Sequence, residues 1–154
     1  MTLSNYAAKK SAARLAAIQY LYALEIDQGF QRRQLEQDLL SYYQNQEDQE
    51  KINSPDKKFL NKLISLAVPN MVFLDEKITE FSARTSSLDK ISLVLKSILR
   101  CGICEILYMS NVPTKVIINE YTTITSSFFD QGETGFVNSM LDKIAISSRK
   151  IYSS

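Results

Sequence analysis

The segment "LDKISLVLKSILRCGICEILY", from Leu88 to Tyr108, decides the fold of this chain. Its apolar residues recur every three or four positions, which is the spacing that places side chains on one face of an α-helix. The face continues over about five turns at 3.6 residues per turn. It is formed by Leu88, Ile91, Val94, Leu95, Ile98, Leu99, Gly102, Ile106 and Leu107. The segment therefore predicts a long amphipathic helix.

The residues after this segment predict two more helices. Pro113 fits the first turn of a helix over 114–129, although the β-branched residues there favour a strand on propensity alone. We expect a helix because helical segments flank it and no second strand is available to pair with it. The stretch "DQGETG" (130–135) reads as a loop. A last amphipathic helix follows, with Phe136, Val137, Met140, Leu141, Ile144 and Ala145 on its apolar face.

The residues before Leu88 also have helical spacing. A first helix is expected to end at Gly29, and a weaker pattern around Leu35, Leu39 and Tyr42 predicts a second helix that fades into the polar linker 44–53. The apolar stripe of the first helix consists of Ala13, Ala16, Ala17, Tyr20, Leu21 and Leu24.

A third helix is expected to begin in "NSPD" (53–56), with Ser54 as its cap and Pro55 at its first helical position. Pro69 either kinks this helix or divides it from the next one. The stretch "RTSS" (84–87) reads as a loop. All predicted elements are helices, so the sequence predicts an all-α protein.

The composition argues against several classes of function. The chain of 154 residues contains no histidine, which is the commonest general base and metal ligand. We therefore expect no hydrolase or metalloenzyme chemistry and no cofactor. No apolar run approaches about 18 residues, and no secretory leader is evident, so we expect a cytoplasmic protein that does not enter a membrane.

Cys101 and Cys104 form a Cys-x-x-Cys motif inside the apolar helical pattern. A redox site needs an exposed thiolate at a helix N-terminus, and a zinc site needs about four ligands. The position favours a structural role in the core, with redox chemistry as the main alternative. Arg100 and Glu105 in the same segment are either an ordinary, partly exposed pair of charges or residues that organise a contact with the other half of the protein.

The start of the first helix carries Lys9, Lys10 and Arg14, and no acid occurs in residues 1–24. The positive end of a helix dipole disfavours cations by about 0.3–1 kcal/mol each. One interpretation is a solvated helix face. The other is an anion site, where backbone N–H groups and flexible cations bind phosphate and nearby tyrosines stack on bases. With a net charge of +1, no strong field of the whole molecule steers a polyanion.

Four stretches of this chain resemble the NusB family of bacterial transcription antitermination factors. The stretch "KKSAARLAAIQYLYALE" (9–25) is similar to the family's opening helix. The other three resemble its second half: "ILRCGICEILY" (98–108), "VPTKVIINEY" (112–121) and "GFVNSMLDKI" (135–144).

The resemblance implies a single domain, 1–154, made of two packed three-helix bundles at about 6–83 and 88–150. NusB-like proteins pair with NusE, a ribosomal small-subunit protein. The heterodimer binds boxA RNA and supports read-through by the RNA polymerase antitermination complex, notably on rRNA operons. The implied mechanism is assembly and not catalysis. The sequence leaves open whether the free protein is a monomer or a homodimer that hides its partner surface.

The resemblance also implies the binding residues. The expected RNA contacts are Lys9, Lys10, Arg14, Gln19, Tyr22, Phe128, Glu133, Thr134 and Gly135. Phe136 is a candidate for the surface that faces NusE.

The chain also departs from the family pattern. Ser11 and Ala12 stand where many members have arginine, and Ser126 replaces a usual lysine. Each lost cation removes about one released counterion, so we expect weaker RNA binding that depends more on NusE. A helical interaction module that binds NusE but has lost RNA recognition is the alternative. A related domain opens certain rRNA cytosine methyltransferases, and we expect this chain to be too short for their cofactor domain.

Overall fold

The structure is a computed structural model, and it describes residues 3–26, 55–82 and 91–149. These residues form helices and no strand, so the prediction of an all-α protein is confirmed. The helices are α1 (Leu3–Ile26), α2 (Lys57–Ala67), α3 (Met71–Phe81), α4 (Leu93–Tyr108), α5 (Thr114–Phe128) and α6 (Gln131–Arg149). The predicted helix end at Gly29, the second helix, the linker 44–53 and the loop 84–87 lie outside the described residues.

The chain divides into two compact units, Met1–Ser65 and Leu66–Ser154. In this division α3 lies in the second unit. The reason is a set of contacts between α3 and α4 that includes an ion pair between Asp75 and Arg100. The predicted bundle bounds of about 6–83 and 88–150 stay a prediction. The packing of two three-helix bundles against each other stays a prediction.

In the first unit, the apolar stripe of α1 is buried as its spacing predicts. Ala13, Ala16, Ala17 and Leu21 are at most 1% exposed, whereas Leu24 is half-buried. The next described helix, α2, contributes buried Leu60 and Leu63.

The start of α2 differs from the predicted one. Asp56 is its cap, since the Phe59 backbone N–H donates to Asp56 Oδ1 at 3.0 Å. The predicted cap, Ser54, lies outside the described residues. Pro55 therefore lies just before the cap instead of inside the first turn. The physical reason is that the Asp56 side chain reaches a backbone N–H that the helix itself leaves without a partner.

Pro69 divides two helices. A short 3₁₀ turn, Val68–Asn70, separates α2 from α3, and the Asn70 side-chain Nδ2 donates to the Leu66 carbonyl at 2.7 Å. Leu74 and Ile78 of α3 are 0% exposed, so this helix buries one face in the second unit.

The central helix of the second unit is α4, on which α3, α5 and α6 pack. It begins at Leu93, later than its apolar pattern suggests, because Ser92 caps it by accepting the Leu95 N–H at 3.2 Å. Every residue from Ser97 to Ile106 is buried. Gly102 permits the close approach of α6, since a Cβ there would lie 3.1 Å from both Leu141 methyl carbons.

The segment 114–129 is helical as predicted, as α5 ends at Phe128 and Pro113 stands at its N-cap position. The prediction of a loop over 130–135 is wrong. Helix α6 begins at Gln131, and its Thr134 N–H and hydroxyl both donate to the Asp130 carbonyl. Val137, Met140 and Leu141 are buried by packing, and this outweighs the cost of about 1 kcal/mol that each glycine brings to a helix.

Candidate nucleic-acid interface

Lys10 lies near the beginning of α1 between two aromatic rings. Its Nζ is 4.8 Å from the centroid of the Tyr6 ring and 4.6 Å from that of the Phe59 ring. The same ammonium is 3.5 Å from Asp56 Oδ2, and the Lys10 side chain is 25% exposed. The two rings and the Asp56 carboxylate therefore restrain the Lys10 side chain, which is partly accessible to solvent. The sequence had suggested a flexible cation.

Arg14 lies on α1 one turn after Lys10, but its side chain is buried. Its side chain is 2% exposed, and its guanidinium carbon is 5.0 Å from the centroid of the Phe59 ring. One turn separates it from Lys10, so both cations face α2. The buried Arg14 side chain is therefore part of the interior packing of the first unit. The geometry does not favour the predicted phosphate contact by Arg14, which stays an untested prediction.

The other predicted residues of α1 point elsewhere. Gln19 is exposed and Tyr22 is half-buried. Gln19 stands nine residues after Lys10, which corresponds to about 180° around the helix axis. Lys9 is half-buried and adjacent to Lys10. The structure therefore brings Lys9 and Lys10 together near exposed Tyr6, while Gln19 and Tyr22 lie on a different face of the same helix.

The second predicted segment lies at the junction of α5 and α6. Phe128 is 56% exposed at the end of α5. A shallow depression of about 670 Å³ lies beside it, lined by Ser126, Phe129, Asp130, Gln131, Gly132 and Thr134. Glu133 and Gly135 occupy the first turns of α6, and Phe136 is half-buried. The carboxylates of Asp130 and Glu133 repel phosphate, so this junction offers an aromatic ring and hydroxyls instead of positive charge.

The cysteine motif lies in the core, as its apolar surroundings predicted. Cys101 and Cys104 are reduced thiols with 0% exposure. Burial, followed by the negative charge of Glu105, raises the pKa of Cys104 to about 12. Burial also raises the pKa of Cys101 well above its ordinary value. Buried, protonated thiols do not supply the exposed thiolate that redox chemistry needs.

These thiols predict a pH dependence of stability. An unfolded thiol ionises near pH 8.5, whereas the folded thiols stay protonated, so the free energy of unfolding falls as pH rises above about 8.5. Between its unfolded and its folded pKa, each thiol lowers the free energy of unfolding by at most about 1.4 kcal/mol for each unit of pH. We expect the stability difference between wild type and the double variant Cys101→Ala/Cys104→Ala to shrink by about 2.7 kcal/mol between pH 7.5 and 9.5 in reducing buffer. The assignment of both thiols to the core would be contradicted if the stability of wild type and of the double variant changed equally with pH. Rapid thiol labelling of folded wild type would contradict it as well.

Arg100 and Glu105 are not an exposed pair. Arg100 is 3% exposed and binds Asp75 of α3 through two hydrogen bonds, Nε to Oδ1 at 2.7 Å and Nη2 to Oδ2 at 2.8 Å. Glu105 is 0% exposed and accepts the Tyr121 hydroxyl of α5 at 2.7 Å. The two charges therefore join α4 to different neighbouring helices inside the second unit. Their contact with the other half of the protein stays a prediction.

Arg149 is a structural residue that the sequence did not reveal. Its guanidinium donates to three carbonyl oxygens at the end of α4 and in the following turn, those of Ile106, Met109 and Val112, at 3.1, 3.1 and 2.6 Å. The only local signal is a basic residue in the last turn of α6. The partners stand 37 to 43 residues earlier in the chain, so the sequence offers no direct clue to them.

Within 3–26, 55–82 and 91–149, no group of three or more histidine, cysteine or acidic residues could hold a metal ion. None of the helices in the described part of the chain is long and apolar enough to cross a membrane.

Fold and site together define an all-helical protein that presents lysines and an exposed aromatic ring near the beginning of its first helix. The family profile described as "NusB family" matches residues 11–146. The transcription antitermination protein NusB of Rickettsia bellii is 38% identical over 154 residues, which cover 97% of each chain. That of Rickettsia felis is 35% identical over 96% of this chain and 98% of its own. This chain belongs to the NusB family.

Solved structures show the same fold. The structure of T. maritima NusB superimposes with a TM-score of 0.66 at 28% identity and covers 88% of this chain and 89% of its own. A crystal structure of the antitermination factors NusB and NusE in complex with dsRNA has a TM-score of 0.71 at 20% identity, over 90% of this chain and 97% of the other.

Proposed function

We propose that this protein is a transcription antitermination factor that binds boxA RNA as a heterodimer with NusE. The observation that carries the proposal is the 38% identity to a transcription antitermination protein over 97% of both chains. A fold neighbour that contains NusB, NusE and RNA supports both partners. The protein works in the cytoplasm by assembly and without catalysis, and it helps RNA polymerase read through terminators, notably on rRNA operons. The free protein is either a monomer or a homodimer that gives way to NusE.

The surface that supports RNA binding best is formed by Tyr6, Lys9 and Lys10. Tyr6 is 51% exposed, which leaves a ring face for a base, and stacking of this kind contributes about 1–3 kcal/mol per base. Lys9 and Lys10 supply positive charge beside it for phosphate, and phosphate contacts position a nucleic acid without reading its sequence. Phe128 offers a second exposed ring in the other unit.

The proposal is tested by fluorescence anisotropy with boxA RNA and a scrambled RNA, each with and without NusE, across a salt series. We expect the tightest binding for boxA RNA with NusE, and Lys10→Ala should lower the salt slope by about 1 if Lys10 contacts one phosphate. The matched control is Lys62→Ala, because Lys62 is an exposed cation of α2. Arg14 is unsuitable as a test because its replacement would disturb the core.

Equal, weak binding in all four combinations would contradict RNA recognition by this chain. A complex with NusE whose RNA affinity equals that of NusE alone would instead support the interaction module that has lost RNA recognition. Sedimentation of the protein alone distinguishes a monomer from a homodimer. Adding NusE in increasing amounts should replace either form by the heterodimer.

A further inference from the structure

We propose that Asp56 competes with RNA phosphate for Lys10, so that this carboxylate limits how tightly the beginning of α1 binds RNA. The inference rests on the proposed function and adds to it a residue, Asp56, that lowers the affinity for RNA. It concerns Asp56, Lys10 and Phe59, all in the first unit.

The fold fixes the Asp56 carboxylate beside Lys10. The Asp56 backbone N–H donates to the Lys9 carbonyl at 3.0 Å, which ties the residue to α1. Its Oδ1 accepts the Phe59 N–H at 3.0 Å as the cap of α2. The carboxylate cannot rotate away from Lys10 without losing that cap. Its second oxygen therefore stays directed at the Lys10 ammonium.

The same geometry leaves Lys10 open to exchange. The distance of 3.5 Å between Lys10 Nζ and Asp56 Oδ2 exceeds the 2.7–2.9 Å of a strong charge-assisted hydrogen bond. The two side chains are 25% and 23% exposed, so solvent screens their attraction. The rings of Tyr6 and Phe59 hold the ammonium in place from other directions. A phosphate oxygen that approaches from the exposed side can replace the carboxylate without moving the lysine far.

The carboxylate also repels the incoming phosphate directly. A negative charge 3.5 Å from the ammonium cancels much of the positive potential that an RNA backbone would meet. Removing this charge therefore ends both the competition and the repulsion, and the cation stays between its two rings.

The test is Asp56→Asn, measured by anisotropy with boxA RNA and NusE. Asparagine caps a helix about as well as aspartate, so the fold is kept while the charge is removed. We expect RNA affinity to rise about two- to fivefold, the range that a partly exposed ion pair supports. Asp56→Ser, a second uncharged capping residue, should give the same gain, and thermal unfolding confirms that both variants are folded.

A double-mutant cycle links the gain to Lys10. In the background Lys10→Met, Asp56→Asn should raise RNA affinity by less than it does in wild type, because only the direct repulsion of phosphate is then removed. The charge-matched control is Glu76→Gln on the exposed surface of α3, which should bind as wild type does.

Three outcomes overturn the inference. These are an unchanged or lower affinity of Asp56→Asn, an equal gain in the Lys10→Met background, and an equal gain for Glu76→Gln. In each case wild type still binds RNA with NusE, so the proposed function stands. If wild type binds no RNA with NusE, the proposed function fails, and the inference fails with it.

Discussion

Asp75→Ala is expected to lower the free energy of unfolding by about 3 kcal/mol. Asp75 accepts two hydrogen bonds from Arg100, whose side chain is 4% exposed within α4. The substitution removes this carboxylate from a guanidinium in the interior, and the loss of one partner from a buried ion pair is costly. Denaturant unfolding followed by circular dichroism measures the change.

Two variants test the cause of this loss. Glu76→Ala removes the neighbouring carboxylate, which is exposed, and is expected to change stability by less than about 0.5 kcal/mol. Adding Arg100→Met to Asp75→Ala should recover part of the loss, because it removes the buried charge and keeps an apolar side chain. An Asp75→Ala variant as stable as Glu76→Ala would show that the pair does not stabilise the fold.

Arg149→Lys is expected to cost about 2–3 kcal/mol. The guanidinium donates to the carbonyls of Ile106, Met109 and Val112, and a lysine ammonium keeps the charge but not the planar arrangement of donors. Burial lowers the pKa of Arg149, and the negative charge of Glu105 raises it, but the side chain stays charged because arginine starts so far above neutral pH. Denaturant unfolding measures the loss.

Hydrogen exchange locates the effect of this substitution. The amides of the turn after α4 should exchange faster in Arg149→Lys, because the charged anchor at the negative end of the helix dipole is weakened. Lys143→Ala, an exposed change on α6, is the control and should leave both stability and exchange unchanged. Unaltered protection of the turn in Arg149→Lys would rule out an anchoring role.

The fold of the second unit followed largely from local periodicity. The apolar spacing in α4, α5 and α6 marks the buried faces of these helices, because side chains three and four positions apart share a face wherever a helix forms. The same pattern placed Cys101 and Cys104 in the core. It failed at 130–135, where two glycines suggested a loop but packing extends α6 to Gln131.

The candidate site was only partly predictable. The sequence showed that Lys9, Lys10 and Arg14 are crowded at one end of α1, which is a property of the local chain. It did not show that Arg14 is buried against Phe59 or that Asp56 faces Lys10. These partners come from α2, more than 40 positions later, and spacing within one helix contains no information about them.

The sequence by itself determined the helical class, the apolar faces and the family, because each depends on residue types at short, regular intervals. Only the tertiary structure decided which charges are used inside the protein. Burial of Arg14, Arg100 and Glu105 depends on groups that the fold brings from distant positions to compensate the loss of water. Groups from distant positions likewise decide how much of the positive charge at the beginning of α1 is compensated within the protein and how much can attract an RNA backbone.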